Sequence, residues 1–301
     1  DAIREAAAEV ARRARAVRID EAALAALADG LARERPPTPD YDLAHHHRGT
    51  PASTLAFNVT LDTINFGSGW WPVVRKRPGL SGYFTVSTSL KERFDAKGPW
   101  GAAELQALRA VDLAEILGQD LAVAELAELL GLFAAALRDL GAWLERRFEG
   151  RFEGLVEAAG GSAERMAELL AEMPFYRDVH RYDGLVVPLY KRAQIVPADL
   201  ALAFGGAGHG RFHDLDRLTI FPDNLVPHVL RRRGVLRYDE ALAGKIAREE
   251  LLPVGSAEEI EIRACAVHAV ARLVAEVGAR GARPSARELD PLLWIQGQDP
   301  A

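Results

Sequence analysis

The chain of 301 residues carries a single cysteine, Cys265. A lone thiol excludes an intramolecular disulfide and a cysteine-rich zinc site. Cys265 lies in an apolar helical pattern and is expected in the core. Positive charge is also scarce: 37 Lys and Arg against 43 Asp and Glu leave a formal net charge of −6. That balance argues against a general binder of phosphate backbones, so an anionic ligand must be held by a local basic cluster. No apolar run approaches the length of a membrane span. Residues 1–17 are rich in Ala and Arg, but Glu5 and Glu9 fall among them and no long apolar centre follows, which argues against a signal peptide. A soluble cytoplasmic protein is expected. The P-loop, the nucleophile elbow, the zinc-protease helix and a cysteine-nucleophile pattern are all missing. No fixed-period repeat is present.

What remains is a strongly helical text with an apolar content of 49%, enough for a substantial core. Residues 1–33 read as two helices, with Asp20 as N-cap of the second and Gly30 near its end. Residues 35–42, with prolines at 36, 37 and 39, read as a loop. Residues 51–66 read as a helix closed by Gly67-Ser68-Gly69, and 70–86 as a turn-rich insertion with one short strand around 81–86. Residues 87–171 are almost wholly helical, interrupted at 150–161. Asp183-Gly184 between two extended runs is a hairpin signal. Further helices are expected at 192–204, 224–233, 237–248, 257–278 and 286–296, with Ser256 and Glu259 as a capping box. The expected fold is mainly α, a single compact domain over 1–301 with a small β-hairpin element, because no linker separates two compositional halves.

The chemistry centres on Leu218-Thr219-Ile220-Phe221-Pro222-Asp223-Asn224-Leu225-Val226-Pro227-His228-Val229-Leu230. An extended apolar run ends at a proline, an acid follows, and a helical pattern begins. Asp223 at that junction either caps the helix or projects into a cleft. His45, His46 and His47 are adjacent and lack a partner at ligand spacing, so either a plain surface loop or a loop histidine donating to a ligand fits better than a metal site. Asp62-Thr63-Ile64-Asn65-Phe66-Gly67-Ser68-Gly69 is a helix end, either a C-cap or a pocket wall with Asp62 and Asn65 facing a ligand. Tyr190-Lys191-Arg192-Ala193-Gln194 enters a helix with two cations, and Tyr176 and Arg177 precede the hairpin. The group is either a solvated basic turn or a site for one phosphate. Arg231-Arg232-Arg233 reads as the basic end of a helix. Asp290 and Trp294, near the C-terminus, form either a cap with core packing or half of a base-binding slot.

Taken in order, several segments resemble the queuosine salvage family, the queuosine-5′-phosphate N-glycosylases. They are Leu61-Asp62-Thr63-Ile64-Asn65-Phe66-Gly67-Ser68-Gly69-Trp70, Leu80-Ser81-Gly82-Tyr83, Tyr176-Arg177-Asp178-Val179, Tyr190-Lys191-Arg192-Ala193-Gln194-Ile195, Phe221-Pro222-Asp223 and Glu259-Ile260-Glu261-Ile262-Arg263-Ala264-Cys265. Each is weak alone; the ordered set is specific. The resemblance implies a helical fold like that of the helix-hairpin-helix DNA glycosylases. It implies hydrolysis of queuosine 5′-monophosphate to queuine and ribose 5-phosphate, without metal or cofactor. The partners implied are that nucleotide and queuine, with no stable nucleic-acid partner, no membrane and a monomeric protein. By the same resemblance Asp223 is catalytic and Phe221 lines the base pocket. His46, or a neighbour in the run of three, contacts the base as a hydrogen-bond donor. Asp290 binds the base beside Trp294, and Gln296 stands just after that tryptophan where some relatives carry an acid. Lys191 lies near the sugar phosphate, with Arg192, Tyr176 and Arg177 as further phosphate candidates. Two other readings are a nucleic-acid base glycosylase, against which the net charge speaks, and a non-catalytic queuine-binding protein.

Overall fold

Apolar residues at helical spacing dominate the chain, and the structure, a computed structural model, follows them; it describes residues 1–33, 40–282 and 284–298. In chain order come α1 (Ala2–Arg13), β1 (Val17–Ile19), α2 (Glu21–Arg33), α3 (Pro51–Thr63), α4 (Gly82–Lys97), α5 (Ala102–Ala107), α6 (Ala110–Leu117) and α7 (Ala124–Phe148). Then follow α8 (Phe152–Ala159), α9 (Ala163–Leu170), β2 (Val179–Tyr182), β3 (Leu185–Pro188) and α10 (Lys191–Ala203). Last are α11 (Leu225–Arg232), β4 (Leu236–Tyr238), α12 (Glu240–Ala247), α13 (Ala257–Ala279) and α14 (Ala286–Gln298). The protein is mainly helical. The part of the expected proline loop at 35–39 lies outside the described residues. The backbone divides into two units: Asp1–Pro39, Asp178–Lys191 and Asp214–Ala301 form the first, and Asp40–Arg177 and Arg192–His213 the second.

In the first unit α13 is the spine. Ile260, Ala264, Cys265, Ala266, Val267, Ala269, Val270 and Leu273 are all buried, so the helix is apolar nearly all round and must lie inside. Helices α1, α2, α11 and α14 pack on it. Each large aliphatic side chain buried this way contributes about 1.5–3 kcal/mol. The polar exception is Glu261, whose Oε2 accepts the backbone N–H groups of Arg15, Ala16 and Val17 at 3.0, 2.7 and 3.1 Å. Its Oε1 accepts the Tyr182 hydroxyl at 2.6 Å. The carboxylate thus holds the chain entering β1, which pairs antiparallel with β4 in the register Val17↔Tyr238. Strands β2 and β3 form the expected hairpin, with Tyr182 opposite Leu185. Its two turn residues have positive φ, 45° at Asp183 and 82° at Gly184. That is the left-handed pair required by a tight hairpin, and it explains the Asp-Gly dipeptide.

In the second unit α7 buries Leu126, Leu129, Leu130, Phe133, Leu137, Leu140 and Leu144, one continuous helical face. Helices α5, α6 and α8 pack on α7, while α4 and α8 also reach α3. Every residue of α3 from Thr54 to Thr63 is buried.

Several expectations are corrected. Residues 81–86 are not a strand but open α4: the Ser81 hydroxyl accepts the Phe84 N–H at 3.3 Å. The aromatic and β-branched run there mimics strand composition, and the cap decides against it. A Cβ on Gly82 would come within 2.5 Å of the Trp71 ring, so glycine allows that indole to lie against the first turn. Residues 150–161 contain α8 rather than a break, and 87–171 is divided among α4 to α9. A short strand, β1, separates the first two helices, and β4 occupies the start of the expected 237–248 helix. Asp20 does cap α2, accepting the Ala23 N–H at 2.9 Å.

Candidate active site

The loop before α11 is held at every backbone polar group that matters for Asp223. The Phe221 N–H donates to Asp290 Oδ2 at 2.7 Å. The Pro222 carbonyl accepts from Arg263 Nε at 2.9 Å. The Asp223 N–H returns to the Phe221 carbonyl at 2.7 Å. The Asp223 side chain is then tied to the helix that follows: Oδ1 accepts the N–H groups of Leu225 and Val226 at 2.8 and 3.2 Å. The capping reading of Asp223 therefore holds. One oxygen caps α11, satisfying free donors of its first turn. The other, Oδ2, makes no hydrogen bond among the described residues. It stays available to a developing positive charge or a water. Asp290 is buried in α14, just before Pro291, which adds no N–H of its own to that turn. Trp294, on the same helix, packs partly buried against the core of the unit. Gln296 is exposed and accepts from Arg233 Nη2 at 2.8 Å.

Lys191 opens α10, and its backbone N–H donates to Asp178 Oδ2 at 3.0 Å. Asp178 is in turn gripped by Arg263, with Nη2 to Oδ2 at 2.6 Å and Nη1 to Oδ1 at 3.1 Å. His180 Nε2 lies 2.8 Å from the same Oδ1. Burial alone would raise the Asp178 carboxyl. The His180 hydrogen bond, the Arg263 charge with its hydrogen bonds, and the Lys191 N–H outweigh it and hold Asp178 well below the usual carboxylate range. Tyr190, just before Lys191, has φ 49°, a left-handed conformation that turns the chain sharply from β3 into α10.

In the second unit the three histidines have different tasks. His47 is buried, with Nδ1 2.5 Å from Asp95 Oδ1 and Nε2 2.6 Å from Ser53 Oγ, and so anchors the loop. His45 sits 2.7 Å from Asp42 Oδ2. His46 has Nδ1 3.0 Å from the Asp42 carbonyl and Nε2 2.8 Å from the Tyr83 hydroxyl. A carbonyl only accepts, so Nδ1 carries the hydrogen and Nε2 accepts from Tyr83. Burial lowers the His46 pKa, partly offset by Asp42, which keeps the ring neutral. Within this pair Tyr83 is the donor.

Asp62, near the end of α3, is fully buried. Burial pushes the carboxyl of Asp199, on α10, up to about 7, and its interaction with Asp62 opposes the rise. Sequence reasoning overlooked Asp199. The signal was there: it is the one Asp, Glu, Lys or Arg between Arg192 and Arg211, in a mostly apolar, glycine-rich stretch.

The phosphate candidates divide. Tyr176 is fully buried, its hydroxyl 2.8 Å from Thr63 Oγ1. Arg192 Nη1 donates to the Thr63 carbonyl at 3.1 Å, and its guanidinium lies 4.6 Å from the Phe66 ring centroid and 5.7 Å from that of Tyr176. Arg177 is exposed and donates to the Ala171 and Glu172 carbonyls at 3.2 and 3.3 Å, capping the end of α9. Asn65 is half-buried beyond α3, its N–H on the Asp62 carbonyl at 3.3 Å. Gly67, with φ 92°, ends this segment in a left-handed turn. Among the described residues no group of three or more His, Cys, Asp and Glu is placed to hold a metal ion.

A carboxylate with one oxygen fixed and the other open, on a loop fixed at each peptide, is equipment for a hydrolase that stabilises positive charge. Residues 45–300 match the sequence profile described as Queuosine salvage protein, and the chain belongs to that family. It is 36% identical over 297 residues to a protein of Sphaerobacter thermophilus named queuosine 5′-phosphate N-glycosylase/hydrolase, covering 96% of this chain and 90% of the relative. A Bos taurus protein of the same name is 30% identical over 233 residues, 74% of this chain and 67% of the relative. One from Nematostella vectensis, also of that name, is 29% identical over 270 residues, 85% of this chain and 76% of the relative.

Proposed function

We propose that this protein hydrolyses the N-glycosidic bond of queuosine 5′-monophosphate, releasing queuine and ribose 5-phosphate for salvage. The observation that carries the proposal is the Asp223 carboxylate, capped on Oδ1 and open on Oδ2, in a chain whose relatives are named for this reaction. Cleavage passes through a transition state with oxocarbenium character at the sugar. A fixed carboxylate facing the anomeric carbon stabilises that charge and orients or deprotonates the attacking water. Such a preorganised group contributes on the order of 3–4 kcal/mol.

The leaving base is a 7-deazaguanine with carbon in place of N7, so protonation there is unavailable and help must come from groups elsewhere on the base. His46 and Tyr83 are the pair we assign to it. Base binding exchanges the Tyr83–His46 hydrogen bond for two to the base: His46 Nε2, an acceptor because Nδ1 carries the hydrogen, takes an N–H of the base, and the released Tyr83 hydroxyl donates to it. Phe221 and Trp294 line the base, Asp290 pairs with a donor on the base or its cationic arm, and Lys191 holds the 5′-phosphate. The net charge of −6 supports a free nucleotide over a nucleic-acid duplex as substrate. The helix-hairpin-helix glycosylase resemblance belongs to this reading, as does one glycosylase domain over 1–301.

The test is chromatography of queuosine 5′-monophosphate incubated with wild type and Asp223→Asn. We expect queuine from the wild type and a loss of about 10²–10³-fold in the variant, the range for removing one transition-state stabiliser. Equal release by both would move catalysis to another residue. Queuine bound but never released by a folded wild type would mark a binding protein.

A further inference from the structure

We infer that Arg263 is a positioning residue for Asp223, and that with Asp178 it sets the catalytic acid and Lys191 from one buried ion pair. The inference deepens the proposed hydrolysis and rests on it. The peptide joining Pro222 to Asp223 is a rigid plane with one acceptor and one donor. Its oxygen is held by Arg263 Nε at 2.9 Å, and its N–H by the Phe221 carbonyl at 2.7 Å. With both ends of the plane held, the Cα of Asp223 has one position, and the α11 cap then orients the carboxylate. Pro222 is buried, so its carbonyl needs a protein donor.

Arginine suits this position for a geometric reason. One guanidinium supplies Nε to Pro222 while its two terminal nitrogens grip Asp178 and reach Glu259 Oε1 at 2.9 Å. A lysine ammonium keeps the charge but cannot reproduce that planar fork. The side chains of Arg263 and Asp178 are only 13% and 15% exposed, so solvent does not replace a lost partner. Asp178 passes the constraint on: the oxygen that receives Arg263 Nη2 also accepts the Lys191 N–H. The first residue of α10 and the acid before α11 are therefore referenced to the same guanidinium.

The experiment compares wild type, Arg263→Lys and Glu259→Gln in steady-state release of queuine, with each rate divided by the number of queuine-binding sites found by calorimetric titration. That division removes the effect of a misfolded fraction, which a merely structural role would produce. A displacement of about 1 Å at a reacting group costs up to roughly 10²-fold. For Arg263→Lys we expect kcat per binding site to fall 10- to 100-fold, in line with such a displacement, with queuine affinity and KM changed by no more than about threefold. Unchanged kcat per site, or a loss confined to KM, overturns the inference. If Arg263→Lys binds no queuine, Glu259→Gln decides. It removes only the outermost partner of the fork, and a several-fold fall in kcat per site is expected, while an unchanged value is fatal to the idea. A wild type that releases no queuine overturns the reading of function, and this inference with it.

Discussion

Replacing Glu261 separates the value of a buried acceptor from the value of its charge. Its carboxylate receives three backbone N–H groups on Oε2 and the Tyr182 hydroxyl on Oε1. In Glu261→Ala the three N–H groups lose this partner, and those of Ala16 and Val17 stay buried, while the Tyr182 hydroxyl keeps only a long bond to the Arg13 carbonyl at 3.4 Å. Each unmade bond of this kind costs about 1–3 kcal/mol, so the three together cost on the order of 4 kcal/mol or more, a large share of a typical domain's stability. Glu261→Gln is different. The amide oxygen can take the three N–H groups, and the amide NH2 can donate to Tyr182, whose hydroxyl accepts as readily as it donates. Only the charge assistance is lost, about 1–2 kcal/mol. Urea unfolding followed by circular dichroism measures both. The order Ala far worse than Gln is the expectation. Equal losses, or less than about 1 kcal/mol for Glu261→Ala, the low end for a single unmade bond, would refute the reasoning.

Two further outcomes are expected. The raised Asp199 carboxyl, at about 7 against 3.8, gives the folded state a proton that the unfolded state has lost. Stability from this group is therefore full below about pH 4 and declines as pH rises towards 7. Asp199→Asn should flatten the change in urea midpoint between pH 4.5 and 7.5, and parallel profiles for the two proteins would count against the raised Asp199 carboxyl. Tyr83→Phe leaves the His46 Nδ1–H on Asp42 but removes the donor at Nε2. We expect weaker queuine binding by titration, with catalysis by Asp223 retained, and an unaltered affinity would exclude Tyr83 from the base contact.

The sequence disclosed elements better than it disclosed partners. The Asp183-Gly184 hairpin was legible because both turn residues must take positive φ, a local demand. Asp20 and Asp223 were legible as caps because capping joins residues two or three apart. Residues 81–86 were misread because Tyr83, Phe84, Thr85 and Val86 have strand composition, while the packing of Trp71 on Gly82 that favours the helix is tertiary. The tautomer of His46 was not legible, since it depends on the Asp42 carbonyl and Tyr83. Asp199 and Arg263 escaped for the same reason: their partners lie 137 and 85 residues away in the chain, at Asp62 and Asp178.

Those distances also explain why the family motifs are weak singly and specific together. Asp178, Lys191, Pro222, Glu259 and Arg263 come from four separate motifs, and the structure joins them through the hydrogen bonds of a single guanidinium and a single carboxylate. Any one motif is then a fragment of a buried polar network. In such a network a half-satisfied set costs more than none, because the abandoned charge remains buried. Loss of Asp178 leaves Arg263 only Glu259, His180 and the Pro222 carbonyl, and loss of Arg263 leaves Asp178 only His180 and the Lys191 N–H and takes the Arg263 donor from the Pro222 carbonyl. The constraint on each motif is thus the presence of the others, and it bears on the one peptide plane that carries the proposed catalytic acid.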